Sequence, residues 1–168
     1  MFAFSPDKIA LMVNYLSVFS SAFTVLFMFW SLTILLKKLI IGEKEISTNN
    51  AIMILGSAAV ASLSFTFTDS FWYNAVEAEV YAMATFLIAL LFWLGLRWEQ
   101  ELNTPRGNKW LLIISLVIGL SFGVHFMALL AFPAIGFLYF FKKYHNVTVK
   151  SFLIANVVII AILLFIFK

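Results

Sequence analysis

The chain has 168 residues, of which 64% are hydrophobic, 18% aromatic and only 11% charged, whereas an ordinary soluble domain carries about a quarter charged residues. That balance excludes a soluble globular domain, because the apolar side chains outnumber what one small core can bury and lipid must solvate the rest. The net charge of +3 does not mark nucleic-acid binding: nine of the eleven Lys and Arg residues lie in short loops between apolar runs, where positive charge records membrane topology. Cysteine is absent, which removes disulfides, thiolate metal sites and thiol nucleophiles.

The first apolar run covers residues 9–36 and stops at Lys37 and Lys38. Ser5 reads as its cap and Pro6 as its first turn. It exceeds the ~20 residues of one crossing, so its first turns are expected at the interface. Asn14, Ser17, Ser21, Thr24 and Ser31 recur on it at helical steps, a small-polar stripe that lets another helix approach closely. The second run, 51–68, carries similar pairs in Ser57/Ala61 and Ala58/Ser62. A short acidic and aromatic segment, 69–79, leads into the third run, 80–98, flanked with the next by Trp98 and Trp110, which suit an interfacial aromatic belt. Arg97 and Glu101 read as an exposed helix-end pair, and Glu99 as a surface position.

Residues 110–141 contain no formal charge and would make one helix of ~48 Å, too long for a single crossing. The positive-inside rule resolves this. Loops with Lys37, Lys38 and Lys44, with Arg97, Arg106 and Lys109, and with Lys142, Lys143 and Lys150 all belong on the cytoplasmic side, so 110–141 must go out and return. Gly119, Gly123 and His125 mark the break and Pro133 limits the returning helix. Ser115, Gly119 and Gly123 form a further packing stripe. His145 reads as a solvated loop residue. A last run starts near residue 152. The expected fold is all-α: a polytopic transmembrane helical bundle of about six spans including a short helical hairpin, as one domain over 1–168, with the amino terminus outside.

Two polar features then share the non-cytoplasmic side. In the acidic segment, helical geometry would place Asp69, Tyr73, Glu77 and Tyr81 on one face, with Glu79 roughly 200° from Glu77. Such carboxylates can act as a general base, position a metal or hold a cation. They are also ordinary in a wet loop, but the interleaved Trp72 and Tyr73 favour a buried, stacked segment. His125 is an ionisable group inside an apolar stretch, a functional candidate by its cost and equally a candidate for a simple hydrogen bond between helices.

The strings Asp69-x-Phe71-Trp72-x-x-Ala75-Val76-Glu77-Ala78-Glu79-Val80-Tyr81 and Gly119-Leu120-Ser121-x-Gly123-Val124-His125 resemble the multi-pass membrane family whose animal member is a transmembrane protein O-mannosyltransferase. The likeness continues through Phe132-Pro133-Ala134-Ile135-Gly136 to Lys143. It implies a GT-C glycosyltransferase bundle with a periplasmic or lumenal active site and a polyprenyl-phosphate sugar donor. It also implies a protein or other outward-facing acceptor, and a divalent metal as a possible cofactor. Carried over by position, Glu77 or Glu79 would be the acid near the donor phosphate or metal, with Asp69 beside them. Trp72, Tyr73 and Tyr81 would shape the substrate cavity, and His125 would hydrogen-bond the phosphate or a catalytic acid.

The Asp-x-Gly-Glu and His-Pro-Pro-Gly motifs of the family do not occur here, and Ala128 stands where relatives have Asn. The chain is therefore expected to be an internal piece of a longer transferase, inactive alone. The bacterial form of the resemblance points to an inner membrane with the active face toward the periplasm. Two other classes fit parts of the pattern: a transporter or flippase element, through intramembrane His and Glu, and a scaffold subunit that packs through its small-residue seams.

Overall fold

The computed structural model describes residues 5–42, 44–144 and 146–166, so His145 lies outside the described residues. Seven α-helices account for nearly all of it: α1 (Pro6–Ile40), α2 (Thr48–Thr66), α3 (Asp69–Val76), α4 (Val80–Gln100), α5 (Gly107–Ser121), α6 (Ala131–Lys143) and α7 (Val149–Ile166), with a 3-10 turn over Phe126–Leu130. The protein is an all-helical integral membrane protein. Four stretches are long and apolar enough to cross a bilayer, Lys8–Ile40, Thr48–Thr66, Val80–Gln100 and Phe126–Lys143, while α5 and α7 are shorter apolar helices.

The ends of these helices follow local chemistry. Ser5 occupies the cap of α1, but its side chain makes no capping bond; Pro6 at the first position sets the helical φ and has no N–H to satisfy. α1 stops where Gly42 turns left-handed, φ 62°, its N–H reaching back to the Lys37 carbonyl at 3.2 Å, a reversal glycine makes without a steric cost. Ser47 caps α2 by accepting the Asn50 N–H at 3.3 Å. The long uncharged stretch does break as the topology requires, between Ser121 and His125. Pro133 falls in the first turn of α6, where its missing donor costs nothing.

α4 is the hub, in contact with α1, α3, α5, α6 and the 3-10 turn. Leu87, Leu91, Leu94 and Trp98 form its buried stripe against Ile114 and Val117 of α5 and Ala128 and Ala131 on the return. Trp98 is therefore core rather than an interfacial belt residue: it is 1% exposed and stacks on Tyr139 at 5.6 Å. α7 touches α6 alone among the described elements.

The small-residue seams divide. On α1, Ser17, Ser21, Thr24 and Ser31 are buried, and so is Ser20, while Asn14 is exposed. Ser20 donates to the Leu16 carbonyl at 2.7 Å and Thr24 to that of Ser20 at 2.9 Å, so those two hydroxyls are satisfied within α1, while the Ser21 hydroxyl is buried without a hydrogen-bond partner among the described residues; the small side chains leave a face for close packing. On α2, Ala58 and Ser62 are buried and Ser57 and Ala61 are not. The Ser115, Gly119 and Gly123 stripe does not pack at all. All three are exposed, because α5 turns Ile114, Val117 and Ser121 toward the bundle instead.

The basic chain ends meet. Glu99 near the end of α4 pairs with Lys38 of α1 and with Lys142 of α6, the latter at 2.7 Å, and its side chain is only 6% exposed. Glu99 is thus a buried junction of three helices and not a surface position. Arg97 and Glu101 are also more than an exposed pair: Glu101 accepts Arg97 at 2.8 Å and the Trp110 indole N–H at 3.0 Å, and the guanidinium lies 5.4 Å from the Trp110 ring. These contacts put the ends of α1, α4 and α6 together, as the loop charges require. The acidic segment and the His125 turn fall at the opposite, acidic end.

Candidate functional site at the acidic end

α3 lies on its apolar side. Phe71 is buried and packs on Phe65 at 4.5 Å, which turns Asp69, Trp72 and Tyr73 outward. With Phe67 these three line an open depression of about 640 Å³. Trp72 stacks on Phe67 at 6.2 Å, yet Trp72 is 52% and Tyr73 65% exposed. The segment is stacked but not buried, since Phe71 is its one buried residue and Trp72 and Tyr73 face out.

The four-residue face expected from Asp69 to Tyr81 does not persist. α3 ends at Val76, and Glu77 is extended at φ −91°, ψ 145°. Glu79 is extended too, at φ −125°, ψ 165°, as the residue that precedes α4. The two glutamates belong to an elbow because α4 must start a new direction to bury its leucine stripe against α1 and α5. Glu79 makes no capping bond. Glu79 is exposed and instead lines an open cavity of about 490 Å³, with Val13, Leu16 and Ser17 of α1, Met83 of α4, and Gly123 and Val124 of the break. Glu77 is half-buried and does not line it.

The break presents His125 on the same end. The Gly123, Val124 and His125 N–H groups bond back to Leu120 and Ser121 carbonyls at 3.0 to 3.1 Å, which closes α5. His125 then caps the 3-10 turn, its Nδ1 accepting the Met127 N–H at 3.1 Å. An Nδ1 that accepts assigns the proton of the neutral ring to Nε2, which is left as a donor. The Tyr81 ring lies 5.6 Å from the imidazole. Elements distant in sequence thus bring Tyr81 to His125, and Glu79 to the residues just before it.

The cap carries a prediction of its own. Asparagine is a good capping residue and can accept the same N–H, whereas alanine cannot. His125→Asn is expected to keep the wild-type thermal midpoint in detergent, and His125→Ala to lose about 1 kcal/mol; equal losses would mean that the cap does not hold the turn.

Among the described residues no three of His, Asp or Glu are grouped so as to hold a metal ion. The α1 wall of the cavity was not legible as such, because Ser17 reads as a packing residue.

The family model of the protein O-mannosyl-transferase TMEM260 N-terminal domain matches residues 1–148. The chain belongs to this family. The match spans α1 to α6 and both polar features of the acidic end, and it makes the chain a membrane protein of a glycosyltransferase family. No curated protein and no solved structure matches the chain.

Proposed function

We propose that this membrane domain forms part of the catalytic bundle of a GT-C glycosyltransferase. The enzyme transfers a sugar, mannose by family, from a polyprenyl-phosphate donor to a hydroxyl of an outward-facing protein. Residues 1–168 act as one piece of a longer membrane domain. The observation that carries this reading is the cavity lined by Glu79 and the Gly123–Val124 turn, at the end of the bundle opposite the Lys37–Lys38, Arg97 and Lys142–Lys143 helix ends, in a chain of this family. By the positive-inside rule that end faces away from the cytoplasm, the periplasm in a bacterial inner membrane.

The chemistry follows from the side chains. The acceptor oxygen attacks the anomeric carbon as Glu79 takes its proton, and the bond from that carbon to the phosphate oxygen breaks. The departing phosphate keeps the electron pair, and His125, which follows the cavity-lining Gly123 and Val124 without lining the cavity itself, offers Nε2–H to the charge that develops on a phosphate reaching past that turn. Tyr81 holds the imidazole plane. Asp69 with exposed Trp72 and Tyr73 offers a polar and aromatic shelf of the kind that receives a sugar or acceptor peptide. Glu77, off the cavity, fixes the elbow.

The test is transfer itself. Native membranes containing the protein, supplied with labelled polyprenyl-phosphomannose and a Ser/Thr-rich peptide, are expected to label the peptide, and membranes lacking the protein are not. Movement of the labelled lipid between leaflets without labelled peptide would identify a flippase. Neither signal, with partner assembly intact, would identify a scaffold.

A further inference from the structure

An apolar groove lies between α6 and α7, on elements that contribute nothing to the Glu79 cavity. It has a volume of about 480 Å³ and is lined by Phe132, Gly136 and Tyr139 of α6, by Ile154 and Ile159 of α7, and by Tyr144 at its mouth. Gly136 is its floor, since a Cβ there would lie 3.1 Å from the Ile159 side chain. From Phe132 to Tyr144 the groove extends ~18 Å at 1.5 Å per residue, close to the ~15 Å depth of one leaflet. Its lining is almost wholly apolar, and its length accommodates one hydrocarbon chain laid along it.

The mouth is positively charged. Lys143 precedes Tyr144, Lys150 precedes Ser151, and both lysines are exposed. The nearby carboxylates are committed elsewhere, Glu99 to Lys38 and Lys142 and Glu101 to Arg97. α7 also starts without an acidic residue in its first turn, so its N-terminal partial positive charge adds to the lysines.

We infer that the α6–α7 groove binds one acidic glycerophospholipid, an acyl chain along the groove and the phosphate between Lys143 and Lys150. The site is independent of the transfer reaction. It gives the basic end of the bundle a bound lipid that clamps α7, which touches α6 alone among the described elements.

Native mass spectrometry of the detergent-solubilised full-length protein, challenged with equimolar phosphatidylglycerol and phosphatidylcholine, tests this. One phosphatidylglycerol per chain is expected, preferred on the order of tenfold or more, as two lysines near an anionic headgroup supply. Lys143→Gln with Lys150→Gln is expected to reduce that preference to about twofold without changing the fold, because both side chains are exposed. Ala155→Phe, which fills the groove, is expected to reduce retention of both lipids. Equal retention of the two lipids by the wild type, or a preference that survives in the double lysine variant, would overturn the inference. So would efficient crosslinking of an Ile154→Cys variant to another protein helix in membranes, since that would show a helix covering the groove.

Discussion

Glu79→Gln is expected to reduce mannosyl transfer by about 10²-fold or more, the range of a lost general base, with membrane insertion and thermal midpoint unchanged. Glutamine keeps the shape of the side chain and its place on the cavity wall but takes no proton from an acceptor hydroxyl. Glu77→Gln is expected to transfer at close to the wild-type rate, because Glu77 lies outside the cavity that Glu79 lines. The pair is compared with Glu45→Gln, an exposed change at the basic end. Equal transfer by the Glu79 and Glu45 variants would remove Glu79 from the mechanism, and a loss confined to Glu77→Gln would exchange the roles of the two glutamates.

Glu99→Ala is expected to lower the stability of the bundle by about 2 kcal/mol, read as the thermal midpoint in detergent. The carboxylate is 6% exposed and holds Lys38 and Lys142, so its removal separates the ends of α1, α4 and α6. The effect stays near that size because Lys38 is 56% and Lys142 39% exposed, and both ammonium groups recover water when the partner is lost. Glu99→Gln keeps an acceptor oxygen and is expected to fall between wild type and alanine. Midpoints for both variants equal to the wild type would show that the junction contributes nothing to holding the three helices.

Much of the architecture was legible in the residues. Five apolar runs became six apolar helices, the long fourth run breaking in two, with boundaries displaced by a few residues at most of the ends; against the expected six spans, four stretches are long and apolar enough to cross a bilayer, α5 and α7 being shorter. The break at Gly123 and His125 and the meeting of the basic ends followed from counting lysines against lengths. The acidic segment was harder to read. Its four-residue spacing is helical in form, yet the helix stops at Val76, since an unbroken helix could not let α3 lie on Phe71 while α4 turns its leucines toward α1 and α5.

The sequence by itself determined the solvent, the number of apolar helices, their order and which ends lie together. Hydropathy and charge are local properties, and a bilayer penalises every exception to them. Only the tertiary structure decided which side of each helix faces its neighbours. A soluble helix announces its buried side by contrast with a polar one, but a lipid-facing side is as apolar as a core. Nothing local therefore distinguished Trp98 in the core from a belt residue, the open Ser115–Gly119 stripe from the closed Ser17–Thr24 one, or Glu79 on the cavity from Glu77 beside it. Those were settled by how α4 rotates to pack against α1, α5 and α6 at once.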